Sequence, residues 1–294
     1  MKPSIELIRC VAVVLITFTH TRHDLEENDV LYFIIEVLPS FGTVILSIVS
    51  GYLYYRVSRH KQGLFQRKIR SLAIPYVIAN LAVLAAVLVL YIVFGYNVLN
   101  RLDYDIHLIL EGVFALNSPP INPPTYFIRD IFVVFLVLAL VTERDLRTLF
   151  ILLPLLFFGT FLLRWDILFL FLGGVAYAKY EAQLPKILLM VVTLLVSSVL
   201  ILYAPVYLKY AVAVFLFLLL IDLKFQFPNT GKYTYLLHLY HSPIIVISFP
   251  IWSKCLSDVK LLLFAQVSTA LIASYILFLL AKRYAPIDVI SGGR

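Results

Sequence analysis

The sequence predicts an all-α fold, a polytopic bundle of about ten transmembrane helices. Hydrophobic residues make up 62% of the 294 residues and charged residues only 14%, and the mean hydropathy is +0.96. Soluble domains carry roughly 25% charged residues, so a soluble monomer of this length could not cover so much apolar surface. Disorder is excluded as well, because disordered chains are poor in apolar residues. Long apolar runs such as 81–94 also lack the alternation of an outer-membrane barrel.

Apolar stretches bounded by charged or Pro/Gly-rich clusters indicate the individual spans, since an upright transmembrane helix needs roughly 17–25 residues. Segment 148–180 is ambiguous because Arg164 and Asp166 divide it, so it forms either two short spans or one long helix with a buried ion pair. The whole chain, 1–294, is expected to form a single transmembrane domain. The ten predicted spans are 6–20, 31–55, 71–94, 126–142, 148–163, 167–180, 187–203, 207–223, 235–252 and 261–282.

The distribution of charge predicts the orientation of the chain. With the N-terminus inside, most Lys and Arg residues fall in inner loops, including six between positions 56 and 70, whereas the first outer loop, 21–30, is acidic. This asymmetry matches the positive-inside rule, so both termini are expected in the cytoplasm. The net charge of +7 therefore reflects inner loops in contact with membrane lipid and does not predict a nucleic-acid partner.

Arg9 and His20 are polar residues inside the first predicted span. Placing a charge at the centre of a membrane helix costs roughly 2.5–3.5 kcal/mol, so such residues need an explanation. On a helix, eleven positions bring both side chains to one face, about 16 Å apart along the axis. They line a polar passage, or each reaches to its nearest membrane surface. Glu36, in the second span, could pair with Arg9 or His20, or hydrogen-bond at the interface.

Two further groups of charged residues are candidates for binding, a basic cluster at 67–70 and the adjacent residues Arg129 and Asp130. Arg67 and Arg70 share a helix face, with Lys68 between them. Guanidinium groups bind phosphate bidentately, although such a cluster is also typical of a signal for topology and for binding anionic lipid. Arg129 and Asp130 begin the fourth span, and adjacent residues project about 100° apart. We therefore expect no salt bridge within this helix, and expect one or both side chains to face partners in the bundle.

His238 and His241 share one helix face in the ninth span. No HEXXH motif, nearby Cys or second acidic ligand accompanies them, so they are predicted to line a polar cavity and no metal is expected. Pro243 interrupts the backbone hydrogen bonds of this helix and would help to open such a cavity. No Walker, GxGxxG, GxSxG or CxxC motif occurs, so ATPase and dinucleotide-binding functions have no support, and no permanently bound cofactor is expected.

Several fragments together resemble the acyltransferase-3 family of integral membrane acyltransferases. Two positions depart from the family pattern, with Tyr126 where Trp is usual and His238 where Tyr is common. The five matching fragments, which occur in the family's order, are ELIRCVAVVLITFTH at 6–20, VSGYLYYR at 49–56, FQRKIRSLAIPY at 65–76, PPTYFIRDIFVV at 123–134 and GKYTYLLHLYHSPII at 231–245.

This resemblance implies a bacterial cytoplasmic-membrane enzyme that moves an acyl group, usually acetyl, from acyl-CoA to a hydroxyl of a glycan or its lipid-linked precursor. His20 would then act as the base, or carry the acyl group itself. Arg9 would orient the donor, and Glu36 would fix the tautomer of His20.

The resemblance also suggests roles for the remaining candidates. The phosphates of acyl-CoA would bind the basic cluster, and the other polar residues would bind substrate. The donor-binding set is Arg67, Lys68 and Arg70, and the substrate-binding set is His241, His238, Tyr126, Arg129 and Asp130.

The competing function is a transporter or flippase of a lipid-linked sugar or small molecule. Intramembrane charges and a broken helix would also suit that function.

Overall fold

The structure is a computed structural model. It describes residues 3–27, 29–99, 101–140, 147–157, 161–224 and 226–293. Over these residues the chain is helical and contains no strand, which confirms the predicted all-α class. Residues 141–142 of the predicted fourth span and 158–160 of the predicted fifth span lie outside the described residues.

Nine long helical segments occur in the described part of the chain. Five of them, the second, third, sixth, eighth and ninth, are long and apolar enough to cross a membrane. The predicted number of ten spans is therefore not confirmed. The segments are α1 Pro3–Phe18, α2 Val30–Ser58, α3 Leu64–Phe94, α4 Tyr126–Ala139, α5 Trp165–Tyr180, α6 Lys186–Tyr203, α7 Leu208–Leu220, α8 Gly231–Cys255 and α9 Val259–Arg283.

The first helix ends two residues earlier than the sequence predicts, because α1 stops at Phe18 and does not reach His20. Threonine hydroxyls compete for the last carbonyl groups of the helix. Thr19 Oγ1 donates to Ile16 O at 2.8 Å, and Thr21 Oγ1 donates to Phe18 O at 2.7 Å. His20 therefore lies in a turn beyond the helix, where its direction depends on the turn and not on the helical projection.

The ambiguous segment 148–180 is broken at Arg164, which favours two pieces over one long helix. Arg164 has an extended backbone, with φ −134° and ψ 102°, and α5 begins at the next residue. Arg164 forms an ion pair with Asp166, whose carboxylate also accepts a hydrogen bond of 2.8 Å from Tyr210 Oη. The described helical pieces before this break are Arg147–Leu152 and Pro154–Phe157.

Two glycines allow α2 and α5 to cross in backbone contact. A Cβ atom on Gly51 would lie 1.8 Å from the carbonyl oxygen of Phe171, and one on Gly174 would lie 2.0 Å from that of Ile48. Either distance is far inside van der Waals contact. Small residues at membrane helix interfaces permit such close approach, so α2 forms the centre of the bundle and contacts α1, α5 and α7.

The packing of α1 against α8 positions the candidate site. Glu6 and Arg9 lie beside Gly231, the first residue of α8, whereas His20 lies beside His241. The two helices thus run parallel and nearly in register, since eleven residues separate the contacts on α1 and ten separate those on α8. Side chains at both ends of α1 consequently meet the same partner helix.

The chain after α9 folds back over the start of α8 and α3. Lys232 Nζ donates to Asp288 Oδ1 at 2.6 Å. Gly292 has a positive φ of 72°, and a Cβ there would lie 2.8 Å from the backbone of Ser71. The hydrogen bonds from Lys232 and Ser291 lower the pKa of the Asp288 carboxyl below its ordinary value.

Candidate active site

A cavity of about 110 Å³ lies between α1, α2, α3, α4 and α8. Most of its wall is apolar, which is typical of small-molecule sites, but it is smaller than the roughly 300–1,000 Å³ of drug-sized pockets. It therefore suits a slender chain better than a bulky ring system. The polar residues that line it are Arg9, Ser50, Lys68, Thr234, Tyr235 and His238.

One end of the cavity holds an ion pair within α1. Arg9 Nη1 donates to Glu6 Oε1 at 3.2 Å, and Glu6 is only 4% exposed. Its second oxygen, Oε2, accepts no hydrogen bond from any described residue. A Cβ on Gly231 would lie 3.4 Å from Oε2 and 3.8 Å from Arg9 Nη1. The glycine therefore leaves space between this pair and the start of α8.

Three histidines lie in contact beyond the other end. The ring centroids of His20 and His241 are 5.1 Å apart, and those of His241 and His238 are 6.2 Å apart. His241 is fully buried, and its Nδ1 donates to Leu237 O at 2.7 Å. A neutral imidazole that donates through Nδ1 can only accept through Nε2. That acceptor has no partner among the described residues.

The described cavity does not follow the predicted passage from Arg9 to His20. Arg9 and His238 both line the cavity, but His20 is not among its described lining residues. His20 reaches His238 only through His241. Because α1 ends at Phe18, His20 lies in the turn beyond it, with its ring beside His241.

The Pro-rich loop before α4 supplies a hydrogen bond that Pro243 removes from α8. Proline has no N–H, so the carbonyl of Leu239, four residues earlier, loses its helical partner. Asn122 Nδ2 donates to this carbonyl at 2.8 Å. Because Leu239 lies between His238 and His241, the loop that carries Asn122 supports the histidine cluster directly.

The predicted donor-binding cluster divides into two parts. Lys68 lines the cavity, with its Nζ 3.6 Å from the centroid of the Phe135 ring, whereas Arg67 and Arg70 are exposed. A π-helical stretch, Ile69–Ala73, follows Lys68. The two arginines therefore remain available to ligands outside the bundle, and Lys68 is the member of the cluster nearest to Arg9 and Gly231 around the cavity.

Glu36 pairs with neither of the residues considered from the sequence. Its Oε1 lies 3.3 Å from Nε2 of His23, in the segment after His20. Arg9 instead pairs with Glu6, three residues earlier on the same helix. A catalytic role for Glu36 through the tautomer of His20 has no direct contact to support it and remains a prediction.

Arg129 and Asp130 do form a salt bridge, so the expectation that an adjacent pair would not was wrong. Arg129 Nη1 lies 2.9 Å from Asp130 Oδ1, because the flexible side chain bends back toward its neighbour. Asp130 is fully buried and also accepts from the backbone N–H groups of Leu163 at 3.1 Å and Arg164 at 2.9 Å. These contacts hold segment 161–164 against α4. Tyr126 lies beside Arg164, whose Cζ is 5.8 Å from the centroid of its ring.

A comparison with protein families shows the family of the chain. A model of the acyltransferase domain, that of the acyltransferase-3 family, matches residues 2–283 of the chain. The chain belongs to the acyltransferase-3 family. The five long apolar helices agree with this membership and make it a multi-pass membrane protein. Comparisons with curated proteins and with solved structures gave no match.

This acyltransferase-3 protein contains functional candidates that sequence patterns did not single out. Glu6 was detectable, since an acid three residues before Arg9 is a standard helical pairing distance. Asn122 and His23 had no comparable local signal, because their partners, 117 and 13 residues away, lie outside the same helical turn. Among the described residues no three His, Cys, Asp or Glu side chains are placed to hold a metal ion.

Proposed function

We propose that this protein transfers an acyl group, normally acetyl, from acyl-CoA to a hydroxyl of a glycan or glycolipid acceptor. The observation that carries the proposal is the polar path from Arg9 along the cavity to His238, and on through His241 to His20. The protein would lie in the bacterial cytoplasmic membrane with both termini inside. In that orientation the path leads from a cytoplasmic donor toward an acceptor near the opposite face.

His20 is the proposed base. It accepts the proton of the acceptor hydroxyl as the oxygen attacks the thioester carbonyl, and the proton then passes to the departing CoA thiolate. The new C–O bond thus replaces the C–S bond without an oxidant or reductant. His241 is the proposed positioning residue. The bond from its Nδ1 to Leu237 O leaves Nε2 as an acceptor without a partner among the described residues, and Nε2 would accept the N–H of His20 during the reaction. His238 is then the imidazole closest to the thioester.

The basic residues at the start of α3 are proposed to hold the phosphates of acyl-CoA. Arg67 and Arg70 are exposed and can pair with phosphate oxygens from outside the bundle. Lys68 lies at the cavity wall, where it would meet the start of the pantetheine arm. The small cavity volume supports this division, because only the arm and the acyl group have to enter.

Acyl transfer by the purified full-length protein tests the proposal. Acetyl-CoA is supplied with a hydroxyl-bearing glycolipid acceptor, and acetyl ester formation is measured by mass spectrometry. The wild type should form the ester, and His20→Ala should lower the rate by about 10²–10⁴-fold, the usual contribution of a general base. His107→Ala, which changes an exposed histidine, is the matched control. Ester formation by His20→Ala at the wild-type rate would refute the assignment of the base.

A further inference from the structure

The Glu6–Arg9 pair is incompletely satisfied for a buried ion pair. Glu6 is almost entirely buried, yet one carboxylate oxygen accepts no hydrogen bond within the described part of the chain. Thr230 Oγ1, immediately before α8, is also buried without a partner among those residues. Buried polar atoms are normally hydrogen-bonded, and leaving one unpaired is costly. Arg9 and Gly231 both line the cavity, so a molecule in it can reach the pair.

The charges at this position indicate which chemical group would bind. The carboxylate of Glu6 neutralises Arg9 and would repel a phosphate, so the pair is unsuited to the nucleotide end of acyl-CoA. It presents an acceptor, Glu6 Oε2, beside the donor N–H groups of Arg9. A secondary amide has the complementary pattern, because its N–H donates and its C=O accepts. The pantetheine arm of acyl-CoA contains two such amides.

We propose that Glu6 and Arg9 together bind a secondary amide of the acyl donor's pantetheine arm, the N–H at Glu6 and the C=O at Arg9. This inference rests on the proposed function, because it assumes that acyl-CoA is the donor. It adds Glu6, which no motif assigned, as a residue that recognises the donor. It also explains why α8 begins with a glycine, since any side chain there would occupy the approach to Glu6 Oε2.

The dimensions favour the amide farther from the sulfur. Seven bonds separate that nitrogen from the thioester sulfur, and an extended chain covers roughly 3.3–3.6 Å for every three bonds, which gives about 8 Å. His238 lies seven residues beyond Gly231 on α8, about 10 Å along the helix axis. An amide held at Glu6 and Arg9 would therefore place the thioester close to His238, within the histidine cluster.

The test measures kcat/KM for acetyl-CoA and for an analogue in which an ester oxygen replaces the amide N–H farther from the sulfur. The wild type should prefer the amide donor by about tenfold or more, since a lost hydrogen bond to a charged group has at least that effect. Glu6→Gln should abolish the preference, because its single oxygen must serve Arg9 and its NH₂ group then faces the N–H of the donor. Glu181→Gln, which changes another carboxylate paired with an arginine, Arg56, should retain the preference.

A second variant keeps the test informative if Glu6→Gln does not fold. Gly231→Ala places a methyl group against Glu6 Oε2 and should also reduce the preference for the amide donor. Equal losses with the amide and ester donors in both variants would overturn the inference and leave acyl transfer intact. If the wild type used no CoA thioester at all, the proposed function would fail together with the inference.

Discussion

Two arginine–carboxylate pairs in this protein differ in how completely they are satisfied. Asp130 accepts from Arg129 and from two backbone N–H groups, so both of its oxygens have partners. Glu6 accepts from Arg9 at one oxygen only, beside a cavity. We call the Arg129–Asp130 pair saturated, because both carboxylate oxygens have partners and the pair joins segments of the protein. We call the Arg9–Glu6 pair unsaturated, because Glu6 Oε2 remains able to accept a hydrogen bond from a ligand. Hydrogen-bond satisfaction, more than burial or charge, therefore separates a structural ion pair from a candidate binding site.

The largest effect is expected when the unsaturated pair is removed. Arg9→Gln should lower kcat/KM for acyl transfer from acetyl-CoA by about a hundredfold, the effect of misplacing a bound substrate by about 1 Å. The amount of folded, membrane-inserted protein should not change. Arg283→Gln, at the exposed end of α9, serves as the control. Unchanged kinetics in Arg9→Gln would mean that Arg9 only reaches to the membrane surface.

The saturated pair should show the opposite behaviour. Asp130→Ala leaves Arg129 without its carboxylate and two backbone N–H groups without an acceptor, so the free energy of unfolding should fall by about 3–5 kcal/mol. Acyl transfer per folded molecule should stay close to that of the wild type. Chemical denaturation in detergent and activity normalised to folded protein measure the two effects. A loss of activity without a loss of stability would instead place Asp130 in substrate binding.

Asn122 has one polar atom with a partner and one without a partner among the described residues, so it is intermediate between the two pairs. Its substitution should lower both the stability and the activity, each by a smaller amount. Its Nδ2 is bound to Leu239 O, but its Oδ1 has no partner in the described segments. Asn122→Ala leaves the buried carbonyl of Leu239 without a hydrogen-bond donor, which should cost about 1–3 kcal/mol in unfolding free energy. A moderate fall in kcat should accompany it, because Leu239 lies between His238 and His241. Asn117→Ala, at an exposed position, should change neither quantity to that extent, and an equal effect would contradict the role of Asn122.

The smallest effect is expected from the partly exposed pair of Lys232 and Asp288. Because the pKa of Asp288 is lowered in the folded protein, its contribution is present above the ordinary carboxyl pKa. It is lost as the pH falls through the lowered value. The contribution should stay below about 1 kcal/mol, since the pair is partly exposed. Protection factors for hydrogen exchange in segment 284–293, which are corrected for the intrinsic exchange rate at each pH, should fall from neutral to acid pH in the wild type but not in Lys232→Ala.

Local patterns in the sequence predicted which residues form this site better than they predicted how those residues are arranged in space. Arg9 and His20 stood out because polar residues in an apolar segment are costly, and the spacing of His238 and His241 placed them on one face of α8. For segment 148–180 the charges at Arg164 and Asp166 left two alternatives, two short pieces or one long helix, and the structure favours the first because the backbone is extended at Arg164. The end of α1 was wrong by two residues, since the threonine hydroxyls that terminate it compete with helical bonds only in the folded turn.

Composition and hydropathy by themselves determined the helical, membrane-embedded character of this protein, because long apolar runs with few charges must satisfy their backbone hydrogen bonds internally. The pairing of Glu6 with Arg9 was likewise implicit in their spacing on one helix. Only the tertiary structure decided that Arg9 meets Gly231, that His20 meets His241, and that Asn122 reaches the carbonyl freed by Pro243. These contacts join residues more than a hundred positions apart, so they depend on how whole helices pack, which no local pattern encodes.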